Sequence, residues 1–331
     1  MLNKKIALSA VLAAAALPVM AQSNVQIYGR VNTTVEQQKL GGESVTGVFN
    51  NSSRIGFKGT EDLGAGLKAG FILESGFNSD TGAGANGEGL SFNRQSELFV
   101  AGNAGMLRLG TFTSESVFAT ADIVSMHNHD TGSSSDALYE WITRDENKIA
   151  YRTPVMANTW VEVGHAFHEK QGDNRNVWDL AANYDKGNLG LGLGFTDNGN
   201  DRQAAVRATY SMGQLVLAAY AQRVEMARDT AAEEKWNNYR VAAAYTMGAT
   251  ELHANVGYAN RDEGKSAKQW TVGVNHNLSK RTKLYAYYTE VDNSSNGTYG
   301  YGFNDALKAA VGATNAGKDF SSVAVGIRHN F

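Results

Sequence analysis

Residues 320–331 (FSSVAVGIRHNF) set Val323, Val325 and Ile327 against Ala324, Gly326 and Arg328, and stop on Phe331. Successive side chains on a strand point to opposite faces, so this segment carries one apolar face and one mixed face. Such a strand reads as the closing member of a transmembrane β-barrel, apolar toward lipid and polar toward the interior. The pattern recurs upstream. Val25, Ile27, Val31 and Val35 alternate with Gln26, Tyr28, Arg30, Asn32 and Glu36; Leu189, Leu191, Leu193 and Phe195 alternate with Gly190, Gly192 and Gly194; Trp270, Val272 and Val274 alternate with Thr271, Gly273 and Asn275.

The opposite terminus has a different character. Lys4 and Lys5 precede an apolar run from Ile6 to Leu17, and Val19-Met20-Ala21 forms a small-x-small cleavage pattern. Residues 1–21 are therefore expected to be a secretory signal peptide, leaving 22–331 as a single barrel domain. No other segment approaches the ~20 apolar residues a membrane helix needs, so any spanning must be done by strands. Two prolines and 36 glycines suit an all-β chain in which only alternate residues face lipid. The formal charge of −3, or −5 once Lys4 and Lys5 are lost, argues against nucleic acid as a partner. With no cysteine, disulfides, thiolate metal sites and cysteine nucleophiles are excluded.

Period-two alternation yields sixteen expected strands, near 24–37, 50–60, 66–78, 91–103, 105–112, 146–154, 158–170, 176–186, 189–196, 202–212, 214–226, 236–247, 249–260, 267–278, 282–292 and 320–331. The expected architecture is an antiparallel barrel whose even strand number brings both ends of the sheet to one side and leaves no edge in lipid. Tight turns are marked by Asp62-Leu63-Gly64-Ala65-Gly66, Ala104-Gly105, Lys186-Gly187-Asn188, Met212-Gly213 and Met247-Gly248. The connections 38–49, 79–90, 113–145, 227–235 and 293–319 read as longer external loops. Tyr151, Trp160, Trp178, Tyr184, Tyr210, Tyr239, Tyr245 and Tyr258 fall near strand ends, as an interfacial aromatic girdle would. A secreted β-sandwich or β-solenoid adhesin also uses alternating strands. A sandwich has few such long loops, and a solenoid would show a fixed repeat, which this chain lacks.

Six stretches carry a wider resemblance: IYGRVN (27–32), SRIGFKGTEDLGAGLKAGFILESGFN (53–78), FNRQSELFVAG (92–102), RDENKIAYRTP (144–154), LSKRTKLYAYY (278–288) and VGIRHNF (325–331). In their order and spread the chain resembles the sixteen-stranded general porins of Gram-negative bacteria, of the β-proteobacterial type. The resemblance implies a homotrimer of barrels in the outer membrane, in contact with lipid and lipopolysaccharide and inserted by the barrel assembly machinery. Each barrel would pass ions and small hydrophilic solutes, narrowed by an inward-folded third loop at 113–145. It further implies a basic pore wall at Arg30, Arg54, Arg94 and Arg144, faced by loop acids matched best by Glu115 and Asp122, and an assembly signal at Phe331. The chain lacks the Pro-Glu-Phe-Gly loop tip of many relatives. Strand parity independently turns Arg30 and Arg54 inward, opposite Ile27, Val31, Ile55 and Phe57. For Arg94 parity is ambiguous, and that position rests on the resemblance. Facing charge rows in a narrow, low-dielectric-walled gap orient solutes and bias which ions pass; with the positive charge on strands, an anion preference is expected.

Catalytic and metal sites are not expected. His165 and His168 are an odd number of residues apart on one strand, so they face opposite sides. His127 and His129 with Asp130 lie in a loop and read as solvated. No nucleophile elbow occurs, and the glycine-rich run Gly82-Ala83-Gly84-Ala85-Asn86-Gly87 has no following Lys-Ser/Thr. No cofactor is implied. The competing functions are a barrel enzyme acting on lipid, or a barrel that only displays adhesive loops.

Overall fold

A computed structural model describes residues 24–85, 89–124, 132–170, 175–228, 230–300, 307 and 315–331. Residues 1–21, His127, His129, Asp130 and parts of the connections 79–90 and 293–319 lie outside them. The strands run β1 (Asn24–Leu40), β2 (Glu43–Asn50), β3 (Arg54–Gly64), β4 (Leu67–Gly76), β5 (Gln95–Gly102), β6 (Gly105–Thr111), β7 (Lys148–Arg152), β8 (Thr159–Ala166) and β9 (Val177–Lys186). They continue with β10 (Leu189–Asp197), β11 (Arg202–Met212), β12 (Leu215–Met226), β13 (Glu234–Met247), β14 (Thr250–Arg261), β15 (Lys265–Asn277), β16 (Thr282–Asn293) and β17 (Phe320–Asn330).

Every pairing is antiparallel, between chain neighbours except that β3 lies on β1, and β17 returns to β1 in register from Arg30↔Asn330 to Leu40↔Phe320. The seam is extended at its end by two backbone bonds, Gly29 N to Phe331 O at 3.2 Å and Phe331 N to Gly29 O at 3.1 Å. Closure matters because lipid offers no hydrogen-bond partner to a free edge. β2 and β3 both lie along β1, the first on Thr33–Leu40 and the second on Asn24–Arg30. They are one stave with a break at Asn51-Ser52-Ser53, so the seventeen segments make a sixteen-stave closed barrel. At the break Asn32 satisfies the loose ends: its N–H donates to Ser53 Oγ (3.0 Å) and its Nδ2 to Asn51 O (2.9 Å). This is a β-bulge closed by side chains.

The expected loop at 38–49 is not a loop. Strand β1 continues to Leu40, turns on Gly41 (φ 56°) and Gly42 (φ 102°), and returns as β2. Two successive positive φ values are what a two-residue hairpin requires. The stretch is hard to read as strand because Gln37 and Lys39 point outward and are exposed. At ~3.4 Å per residue, β1 outruns the ~25 Å apolar band, and above that band the outer face need not be apolar.

Facing follows the alternation. Val25, Ile27, Val31 and Val35 are exposed on the outer wall, whereas Asn32, Thr34, Glu36 and Gln38 are buried inside. Tyr151, Trp178, Tyr210, Tyr239, Tyr245 and Tyr258 are also exposed. Trp160 departs from the girdle: it shares its face with buried Glu162 and Gly164, and the Arg152 guanidinium lies over its ring at 4.3 Å. Among the described residues no helix is long and apolar enough to cross a membrane. The buried hydrophobic side chains sit inside the barrel, where Val117, Ala121, Val124 and Tyr139 of the β6–β7 connection pack on Ala205, Ala218, Tyr220 and Ala242 of the wall.

Candidate pore constriction

The β6–β7 connection contains two short helices, α1 (Glu115–Ala119) and α2 (Ala121–Val124), and is fastened to inward-facing side chains round much of the wall. Ser116 Oγ donates to Asp179 on β9 and lies 3.1 Å from Thr196 Oγ1 on β10. Ser133 Oγ reaches Glu36 on β1 at 2.7 Å and Tyr287 on β16 at 3.0 Å. Ala137 N–H donates to Gln269 on β15, Glu140 N–H to Gln222 on β12, and Ile142 N–H to Gln203 on β11. These wall glutamines are nearly inaccessible. Each therefore needs the partner that the loop backbone supplies.

Two charge clusters hold the loop more strongly. Asp136 takes a bidentate pair from Arg240 on β13, at 3.0 and 2.8 Å, and accepts from Tyr220 on β12. The Arg240 side chain is 0% exposed and is completed by Asn255 and Gln269. At the loop's root, Arg108 on β6 donates to Glu97 on β5 (2.6 and 3.0 Å) and Glu162 on β8 (3.0 and 3.1 Å), and lies 3.5 Å from Glu115. Arg152 on β7 bonds Glu162 at 2.8 Å and Glu115 at 2.6 Å. Burial pushes the Glu115 carboxyl up despite these two arginines, and it does the same to Glu140 and to Asp145, whose partner is Lys148.

Three of the four arginines expected in a basic wall come together. Arg30 and Arg54 are register partners on β1 and β3. Glu74 on β4 joins Arg54 (3.8 Å) to Arg94 (2.8 Å) and accepts from Tyr28 at 3.0 Å. Arg94 sits one residue ahead of β5, which is why strand parity does not decide its direction. Arg144 lies apart, its Nη1 donating to the carbonyl of Arg175 in the β8–β9 connection at 3.0 Å. Glu115 is bonded to Arg108 and Arg152 rather than to those four, and Asp122 is half-buried on α2.

Two cations extend the arc beyond the sequence reading. Arg328 on β17 pairs in register with Asn32 on β1 and with Lys283 on β16, both on the inner face. Arg94, Arg54, Arg30, Arg328 and Lys283 thus follow one another round contiguous staves, with Glu74 among them and Glu251 facing Lys283. Parity could have found them, since Ile327 and Leu284 point outward and leave Arg328 and Lys283 inside. It could likewise have found Arg108 and Arg240, which stand between exposed Leu107 and Leu109 and between exposed Tyr239 and Val241.

A family model described as Gram-negative porin matches residues 7–296. The chain belongs to the Gram-negative porins. Outer membrane porin protein 32 of Delftia acidovorans is 33% identical over the full length of both chains. The major outer membrane protein P.IB of Neisseria meningitidis serogroup B is 28% identical over 96% of this chain and 86% of its own. Among solved structures, the anion-selective porin from Comamonas acidovorans superposes with a TM-score of 0.79 at 29% identity, covering 94% of this chain and all of that one. In-vitro folded OmpT of Vibrio cholerae shares the fold, with a TM-score of 0.70 at 16% identity.

This porin is accordingly an outer-membrane channel for ions and small hydrophilic solutes, and not an enzyme. Among the described residues no group of three His, Asp or Glu could hold a metal ion. His165 packs its ring against Trp178 (4.1 Å) and Phe167 (4.7 Å), and His168 lies beyond the end of β8.

Proposed function

We propose that this porin prefers anions, and that the preference arises where solutes pass between the loop and the arc formed by Arg94, Arg54, Arg30, Arg328 and Lys283. The observation that carries this reading is the contiguity of those five cations on rigid staves. Glu74 pairs with Arg54 and Arg94 within the arc, and the loop acids Glu115 and Asp136 are engaged by arginines outside it. Fixed charges in a narrow gap act at full strength on a passing ion, whereas acids on external loops are screened within ~8 Å at physiological salt. The likeness to the anion-selective porin from Comamonas acidovorans supports the same reading.

The pH dependence follows with a definite sign. Because burial raises the carboxyls of Glu115, Glu140 and Asp145, they bind protons at higher pH than free side chains do. Acidification then removes negative charge from the lumen while the arginines keep theirs. Anion preference measured as zero-current potential in planar bilayers is expected to rise as pH falls from 7 toward 5. A shift toward cations on acidification would contradict the assignment.

Residues 1–21 are removed on export, and 22–331 form the mature barrel, with 113–145 narrowing the pore. Three barrels assemble through the outer faces of β1–β5, where Val25, Ile27 and Leu98 are exposed, and their surroundings are outer-membrane lipid and lipopolysaccharide. Phe331 is the signal read by the assembly machinery. Its backbone bonds to Gly29 and its ring covering that glycine support a second role in sealing the β1–β17 seam. Deleting Phe331 should sharply lower the amount of protein inserted into the outer membrane. Normal insertion of the truncated chain would refute both roles.

A further inference from the structure

The inner face of β10 is bare along Gly190, Gly192 and Gly194, while Leu189, Leu191 and Leu193 point to lipid. The loop lies directly on two of these glycines. A methyl group at Gly192 would overlap the carbonyl oxygen of Ala119, and one at Gly194 would overlap that of Ser116, whose C and Cα atoms are each 3.0 Å away. These obstacles are backbone atoms of α1, and rotating a side chain cannot relieve them. Gly190 differs: a methyl group there would meet Thr209 Oγ1 at 2.5 Å and Asp185 Oδ1 at 3.0 Å, both ends of side chains and neither part of the loop. Beside the bare track, Asp179 accepts from the Ser116 and Thr196 hydroxyls, which lie 3.1 Å apart, and Thr120 Oγ1 donates to Ser116 O at 2.7 Å.

The geometry points to Gly192 and Gly194 as the residues that set the pore's aperture, by letting α1 seat on bare wall. Glycine within a strand gives up side-chain packing and is kept where another backbone must approach closely. In a sixteen-stave barrel, the stave of β10 stands across from that of β1. A side chain at either glycine therefore drives α1 off its wall toward Arg30 and the basic arc, carrying Glu115 and Asp122 with it. The pore narrows, and its negative side approaches its positive side. The inference rests on the reading that solutes pass between loop and arc.

The test compares Gly192→Ala and Gly194→Ala with Gly190→Ala, each checked for a folded barrel by its gel mobility before and after heating. The chain has no cysteine of its own, so a Ser116→Cys/Thr196→Cys pair reports whether α1 is seated. Single-channel conductance should fall by roughly a third or more in Gly192→Ala or Gly194→Ala, because flow scales with open cross-section. The cysteine pair should cross-link in the glycine background and lose cross-linking in either of these variants, and Gly190→Ala should match the native channel in both measurements. Undiminished conductance in both variants, or a fall in conductance with cross-linking retained, would overturn the inference. Lost cross-linking and a narrowed pore in a channel without anion preference would uphold the aperture role and refute the selectivity reading alone.

Discussion

Replacing Arg54 by Glu is expected to carry the zero-current potential from the anion side toward the cation side without lowering the yield of folded barrel. Arg54 is half-buried on the inner face, next in register to Arg30, and shares Glu74 with Arg94. At an effective dielectric of ~20, one charge acts on an ion ~10 Å away with ~1.7 kcal/mol, and reversing the charge changes two units. Screening by salt removes part of this, leaving a shift of roughly tenfold in the anion-to-cation permeability ratio, for which ~1.4 kcal/mol suffices. Bilayer recordings in a salt gradient read the shift directly. If Arg54→Glu leaves the potential unchanged while Asp122→Asn moves it, the loop acids rather than the arc are the filter.

The largest effect on stability is expected at Arg108. Its guanidinium serves Glu97 and Glu162, whose side chains are each 2% exposed, and stacks over Phe112 at 4.1 Å. Arg108→Met removes the only hydrogen-bonded cation of Glu97 among the described residues and leaves Arg152 to hold both Glu162 and Glu115. Breaking a buried pair from one side costs about 3–5 kcal/mol, because a carboxylate stays behind without compensation. The midpoint temperature of the barrel's heat-induced mobility change should fall clearly, and it should recover in part when Glu97→Gln is added. An Arg108→Met protein as heat-stable as the native one would mean that the cluster does not anchor the loop's root.

Much of the barrel was legible because a lipid-facing wall imposes period two on the sequence. The run Leu189 to Phe195 can be read almost residue by residue, and β17 and the turns at Gly187, Gly213 and Gly248 lie where the alternation breaks. The hairpin at 41–42 was hidden because β1 and β2 rise above the apolar band, where nothing requires an apolar outer face. The loop's attachments were hidden for another reason. Parity tells which side chains point inward but not which residue meets them across the lumen. Asp136 and Arg240 are 104 positions apart, and Ser133 and Tyr287 are 154 apart. Arg328 and Lys283 needed only the parity rule that turned Arg30 and Arg54 inward. Trp160 misled because a tryptophan at a strand end serves equally well as an interfacial anchor or as a platform for Arg152.

Selectivity rests on cations of adjoining staves outweighing loop acids that other arginines already engage. The zero-current potential of the native channel across a tenfold potassium chloride gradient, at neutral pH in a neutral-lipid bilayer, tests it most directly. A potential with the sign of chloride permeation is predicted; one with the sign of potassium permeation would contradict it.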